Sequence, residues 1–437
     1  MKHRKIFYLA LFVLLVSAGF AFAHGQNEGT GKTTITFSTN WVGSDTKAAA
    51  FAPYLAAFSS KYPAYTLVVQ STPGTGSPDD LAKYFTMASA GTLPDVFNFW
   101  TSLSNMAPLV KGNHLADLSS YIQTDPVFSK EFDKPWMFDN LTRFEKGGPN
   151  YGIPAEFYFC FLYVNKTLFD QAGAPLPKTW DDVKKAIPLL KAKGIVPLGW
   201  AGNDGDLNTN LWSAFLDRFG PSSQIDAAMK AGANPDVAPA LKQVYDVFQQ
   251  LASMGAFPQG AAAMAQPDPI IAMYNQGKAA MFEGGTWYIG QISDTVAQNT
   301  VVMPMWTFPD GNPTDPASLV GGVSMSYMVK RLSWADPKKK QGISDFLHYV
   351  ESPDLYAQWM TAGVPPLLPV KTPASANPLL IKAIAVEQNT QTLINWHAFD
   401  VPKLNTVQSN EVQGIVNGTL SASDAYNELV QAAKSAE

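Results

Sequence analysis

Phe157 to Val164 is a run of eight almost unbroken apolar residues, and it constrains this chain more than any other segment. An apolar run without alternation reads as a strand buried on both faces, which calls for a sheet covered by helices. Its flanks complete a folding unit. Tyr151 to Pro154 reads as a short strand closed by Pro154, which has no N–H to give to a ladder. Asn165 to Ala172 reads as a short helix, ended by Gly173 and the Pro175/Pro177 pair. Thr179 and Asp182 have the spacing of a capping box and open an amphipathic helix to Lys193.

At 437 residues the chain is too long for one ordinary core, so two domains are expected. Upstream, Thr33–Ser38, Tyr65–Gln70 and Asp95–Phe99 read as strands, separated by helices over Lys47–Tyr62 and Asp79–Ala90. That βαβαβ order predicts a largely parallel sheet with helices on both faces. Downstream, Ile195–Trp200, Ala279–Phe282, Val301–Pro304 and Val323–Met328 read as strands and Ala201–Asn210 as a loop. Five helices between Asp336 and Ser435 close the chain.

Ile153-Pro154, Tyr163-Val-Asn-Lys166, Ala172-Gly173 and Pro177-Lys-Thr-Trp180 follow one another in a recognisable order. The order resembles family 1 extracellular solute-binding proteins, the sugar-binding components of bacterial ABC importers. Gly277-Lys-Ala-Ala-Met281 with Gly284-Gly-Thr-Trp287, and Gly91-Thr-Leu-Pro-Asp-Val96, match two further signatures of that family. The resemblance implies an α/β, two-lobed periplasmic binding protein fold (type II), each lobe a mostly parallel sheet flanked by helices. It places the crossings between lobes near Pro154, Glu283 and Glu351. One lobe would then hold residues 24–153 and 284–350, the other 154–283 and 351–437. It further implies a monomer that hinges around a cleft, delivers its ligand to ABC permease subunits, carries no cofactor and does no chemistry.

The first residues read as a secretory signal peptide over 1–23. Lys2, His3, Arg4 and Lys5 precede an apolar stretch from Ile6 to Phe20 and an Ala21-Phe-Ala23 cleavage site. Removing this leader leaves 28 basic and 36 acidic residues, a net charge of −8. A mildly acidic, dispersed balance speaks against nucleic acid or an anionic membrane surface as partner. Cys160, the one cysteine, lies inside the apolar run and reads as core. It excludes an internal disulfide, and no cysteine follows the leader to carry a lipid anchor. The expected location is the periplasm.

Other chemical signatures fail on spacing. Gly25 to Thr33 resembles a P-loop but has five residues between its outer glycines where four belong, and it follows no strand. Asp204, Asp206 and Asn208 resemble the start of a calcium loop, yet Thr209 replaces the turn glycine and Phe215 the bidentate glutamate. Beyond the leader and its flank, His114, His348 and His397 show no metal spacing, so no metal is expected. No G-x-S-x-G elbow occurs.

In open α/β sheets ligands sit beyond the carboxyl ends of strands. Trp41, Phe99, Trp100 and Trp200 stand at such ends, and Trp287 follows the return strand. Indole faces stack on the C–H faces of pyranoses, while carboxylates and amides accept from sugar hydroxyls. Glu156 and Tyr158 lie just past the Ile-Pro crossing, Asp206 and Asn208 beside Trp200, and Glu283 ahead of Trp287. Gly322 would let backbone approach a ligand. The resemblance adds Trp396 and Asp400 as a late wall of the cleft. The expectation is a carbohydrate-binding protein; the alternatives are a secreted carbohydrate-active hydrolase, or the same fold with a non-sugar solute.

Overall fold

The computed structural model describes residues 31–43, 45–74, 78–132, 137, 148–229, 239–311, 318–389, 393–394, 399 and 401–435. Its strands are β1 (Thr33–Thr39), β2 (Tyr65–Ser71), β3 (Val96–Trp100), β4 (Gly152–Asn165), β5 (Val196–Gly199), β6 (Ala279–Gly285), β7 (Thr300–Met303), β8 (Leu319–Val329) and β9 (Leu393–Ile394). They run in the order β2-β1-β3-β8-β4-β6-β5, with β7 also on β4 and β9 on β8.

The apolar run lies in β4, a strand of 14 residues. Its first half pairs with β8, and its second half lies between β6 and β7. One strand thus serves two sheets, which is why its core stretch shows no alternation. Parallel pairing joins β1 to β2 and β3, and β5 to β6. All pairings of β4, and that of β3 with β8, are antiparallel, so the sheets are mixed rather than mostly parallel.

Pro154 does not end a strand. It sits opposite Ser326, and the register slips on either side of the Glu156–Met325 pair. Ala155 is the extra residue on β4 and Ser324 the extra residue on β8. A bulge leaves one residue out of the ladder, which is how a strand tolerates proline. The two bulges cancel, so the register recovers while both strands bend.

β7 pairs with Leu162–Asn165, and Trp306 stacks 6.2 Å from Trp180. β7 and Trp306 thus pack with the second sheet. The helix Pro353–Thr361 packs on the first half, where Trp359 meets Trp41 at 5.3 Å and Phe51 at 5.5 Å.

Local signals behave as their chemistry dictates. Thr179 and Asp182 form the capping box of the helix Trp180–Ala192, and Gly173 ends its predecessor at φ 64°. Asp204 caps the helix Gly205–Leu216 by accepting from Leu207 N at 2.9 Å. The stretch expected to be a loop is therefore already helical from Gly205.

Candidate ligand-binding site

The compensating bulges place a carboxylate where β4 and β8 cross between the sheets. Glu156 Oε1 accepts from Lys47 Nζ at 2.6 Å, and Oε2 accepts from Ser324 Oγ at 2.6 Å. Lys47 stands at the head of the helix Ala48–Lys61, where its backbone N–H donates to Asp45 Oδ1 at 2.8 Å. Its ammonium lies 3.3 Å from the same carboxylate and 5.2 Å from the Trp41 ring centre. Burial alone would lower the Lys47 pKa, but Asp45 and Glu156 together outweigh it and hold the ammonium above its ordinary value.

Aromatic groups flank this carboxylate. Met325 is opposite Trp100 on one side and opposite Glu156 on the other, so these three residues form a row across β3, β8 and β4. Farther along β4, Tyr158 faces Gly322, and its ring centre is 5.7 Å from that of Trp287. Trp287 belongs to the 3-10 turn Thr286–Gln291 directly after β6. Two glycines make the arrangement feasible. A Cβ on Gly285 would come within 2.3 Å of the Trp287 ring, and Gly322 has φ 144°, a conformation side chains rarely adopt. Of the expected aromatic residues that the structure describes, only Trp100 and Trp287 are partly exposed rather than buried.

The remaining expected residues are placed differently. Trp41 is buried among Phe51, Tyr327 and Trp359, and only its approach to Lys47 links it to the junction. Phe99 is wholly buried in a separate cluster with Tyr84 and Phe97. Trp200 does not stand at a loop mouth; it packs as core, 5.1 Å from Phe257 and 5.7 Å from Phe248. Asn208 is buried and donates to Gly202 O at 2.7 Å and to Ser409 Oγ at 3.1 Å, tying its helix to the one at Pro402–Val416. Glu283 is enclosed, and burial raises its pKa well above the carboxylate range. Asp206 lies in the first turn of its helix, with its side chain outside the described residues. Trp396 and Asp400 also lie outside them.

Sequence reasoning missed Asp45, Lys47 and Ser324. A signal existed for the first two, which follow the carboxyl end of β1 just as Trp41 does. Among the described residues no cluster of three or more His, Cys, Asp or Glu is placed to hold a metal. None of their helices is long and apolar enough to cross a membrane.

Comparison with known proteins gives this geometry a context. The profile of the bacterial extracellular solute-binding proteins matches residues 43–355. The multiple sugar-binding protein of Streptococcus mutans is 22% identical over 222 residues, a match that spans 50% of this chain and 50% of that protein. Among solved structures, a chitin oligosaccharide binding protein superposes with a TM-score of 0.77 at 22% identity, covering 93% of this chain and 99% of its own. Maltose-bound MalE3 of T. maritima gives 0.69 at 19% identity, covering 92% and 99%. These likenesses establish the two-lobed fold.

Proposed function

The chain belongs to the bacterial extracellular solute-binding protein family, and we propose that it captures a neutral mono- or oligosaccharide between its lobes, closes on it by hinge motion and hands it to an ABC permease. The observation that carries this reading is the partly exposed Trp287 beside Tyr158, on the same crossing strand β4 that holds the Glu156 carboxylate two residues earlier. An indole face for the C–H side of a pyranose and a carboxylate for its hydroxyls are what a sugar site requires. Two carboxylates and one ammonium at the junction leave a net negative charge, which disfavours anionic ligands. The sugar-binding names of the relatives point the same way. The lobes meet along β4 and β8, the protein acts as a monomer in the periplasm after loss of residues 1–23, and it does no chemistry of its own.

A thermal-shift screen over mono- to tetrasaccharides, with chitin-, xylan- and maltose-derived series included, tests this. A ligand at about 100 times its dissociation constant adds ~2.7 kcal/mol of stability. No shift with any sugar, or new reducing ends after incubation with oligosaccharides, would overturn the reading.

A further inference from the structure

We propose that the small cavity walled by Glu283, Asp217, Arg218, Ser318 and Cys160 is a binding site for one buried water, to which the Glu283 carboxyl group hydrogen-bonds. The cavity lies in the second lobe, between β4, β6, the end of the helix Gly205–Leu216 and the foot of β8. It offers about 10 Å³ to water centres, room for a single water and far too little for a sugar ring. The site is therefore separate from the candidate carbohydrate cleft, and the inference does not rest on that reading.

Glu283 is 4% exposed, and neither of its carboxyl oxygens has a hydrogen-bond partner among the described residues. Buried polar groups are satisfied as a rule, and an ordered water does this with two to four bonds. The far wall is polar and fixed. Arg218 Nη1 donates to Ser318 Oγ at 2.7 Å and Nη2 to Ser318 O at 2.8 Å. Arg218 and Glu283 both line this cavity, and the proposed water lies between them. Burial pushes the Glu283 pKa well above the ordinary carboxylate range, which favours the neutral carboxyl, whose O–H the proposed water would accept. The water then ties β6, which leads directly into Trp287, to the root of the crossing strand β8.

A crystal structure at neutral pH, together with infrared difference spectra of wild type against Glu283→Gln, tests the site. The expected result is ordered solvent within hydrogen-bond distance of the Glu283 carboxyl and a protonated carbonyl band that the Gln variant loses. Glu283→Gln retains the water, whereas Glu283→Met loses it; the Gln variant keeps the test decisive even where Met prevents folding. A dry cavity in a map that resolves other buried waters would overturn the proposal.

Discussion

Lys47 Nζ and Glu156 Oε1 lie 2.6 Å apart, joining the head of the helix Ala48–Lys61 to the bulged stretch of β4. Both partners are poorly exposed, at 2% and 10% of their side-chain surface. Breaking a buried pair from one side strands the other charge, at a cost of about 3–5 kcal/mol. Asp45 remains beside Lys47 and compensates in part. Glu156→Gln is therefore expected to destabilise by ~3 kcal/mol in denaturant titration. The double change Lys47→Met with Glu156→Gln should recover part of that loss; strictly additive losses would show that the pair is not coupled. The raised Lys47 pKa adds a pH signature. Its stabilisation is complete below the unfolded lysine value and is lost as pH rises through the higher folded value. Wild type should shed this contribution at strongly alkaline pH, and Lys47→Met should not.

Trp287 and Trp200 separate the proposed ligand contact from a core residue. Trp287→Ala is expected to weaken sugar binding roughly thirtyfold, because removing a desolvated aromatic from a binding centre costs ~2 kcal/mol. Its unliganded melting should change little, since the indole is partly exposed. Trp200, wedged against Phe248 and Phe257, should behave oppositely. Trp200→Ala loses about 3–5 kcal/mol of unliganded stability. Calorimetric titration beside unliganded melts reads both. The reverse pattern would move the site away from the β6 turn.

What the sequence disclosed follows from the range of each interaction. β4 was legible because burial on both faces erases alternation, a property of the strand alone. The capping box at Thr179 and the stop at Gly173 are equally local. The bulges were not legible, since an extra residue is defined only against a partner strand and Ser326 stands far along the chain from Pro154. Asp204 was ambiguous because a carboxylate that caps a helix looks, in sequence, like one that lines a loop. Trp200 was misplaced for a related reason: strand-end position is visible, whereas the rings that cover it come some fifty residues later. Lys47 is the extreme case, its partner being 109 residues away. The two-lobed architecture was read from motifs.

A second acid in the second lobe supplies a titration test within the ordinary pH range. Glu411, on the helix Pro402–Val416, accepts a hydrogen bond from the Tyr245 hydroxyl of the helix Pro239–Met254. Burial raises its pKa to about 8, against an ordinary value of 4.5. The folded state thus holds a proton that the unfolded chain releases, and stability falls as pH rises from about 4.5 to about 8. Glu411→Gln removes this slope. Melting temperatures of variant and wild type should converge at the acidic end of that window and diverge, in favour of Gln, toward its upper end. A constant difference across the window would rule out Glu411 as the titrating group.

The proposed hinge closure needs a place where the crossing strands can bend, and the two bulges offer one. β4 and β8 carry the chain between sheets side by side, and each contains one residue skipped in the β4–β8 register, Ala155 and Ser324, on opposite sides of the Glu156–Met325 pair. Residues outside the ladder can absorb backbone rotation without breaking neighbouring bonds, so bending should concentrate there while both lobes move as rigid bodies. Saturating sugar is therefore expected to reduce the radius of gyration in small-angle scattering, provided the unliganded protein populates an open form. Hydrogen exchange should slow around residues 154–158 and 322–326 while the β1 and β5 amides stay unchanged. A radius unaffected by a sugar that demonstrably binds would remove hinge closure from the mechanism and leave binding intact. Slowed exchange spread evenly through both sheets would instead indicate global stiffening, with no pivot at the bulges.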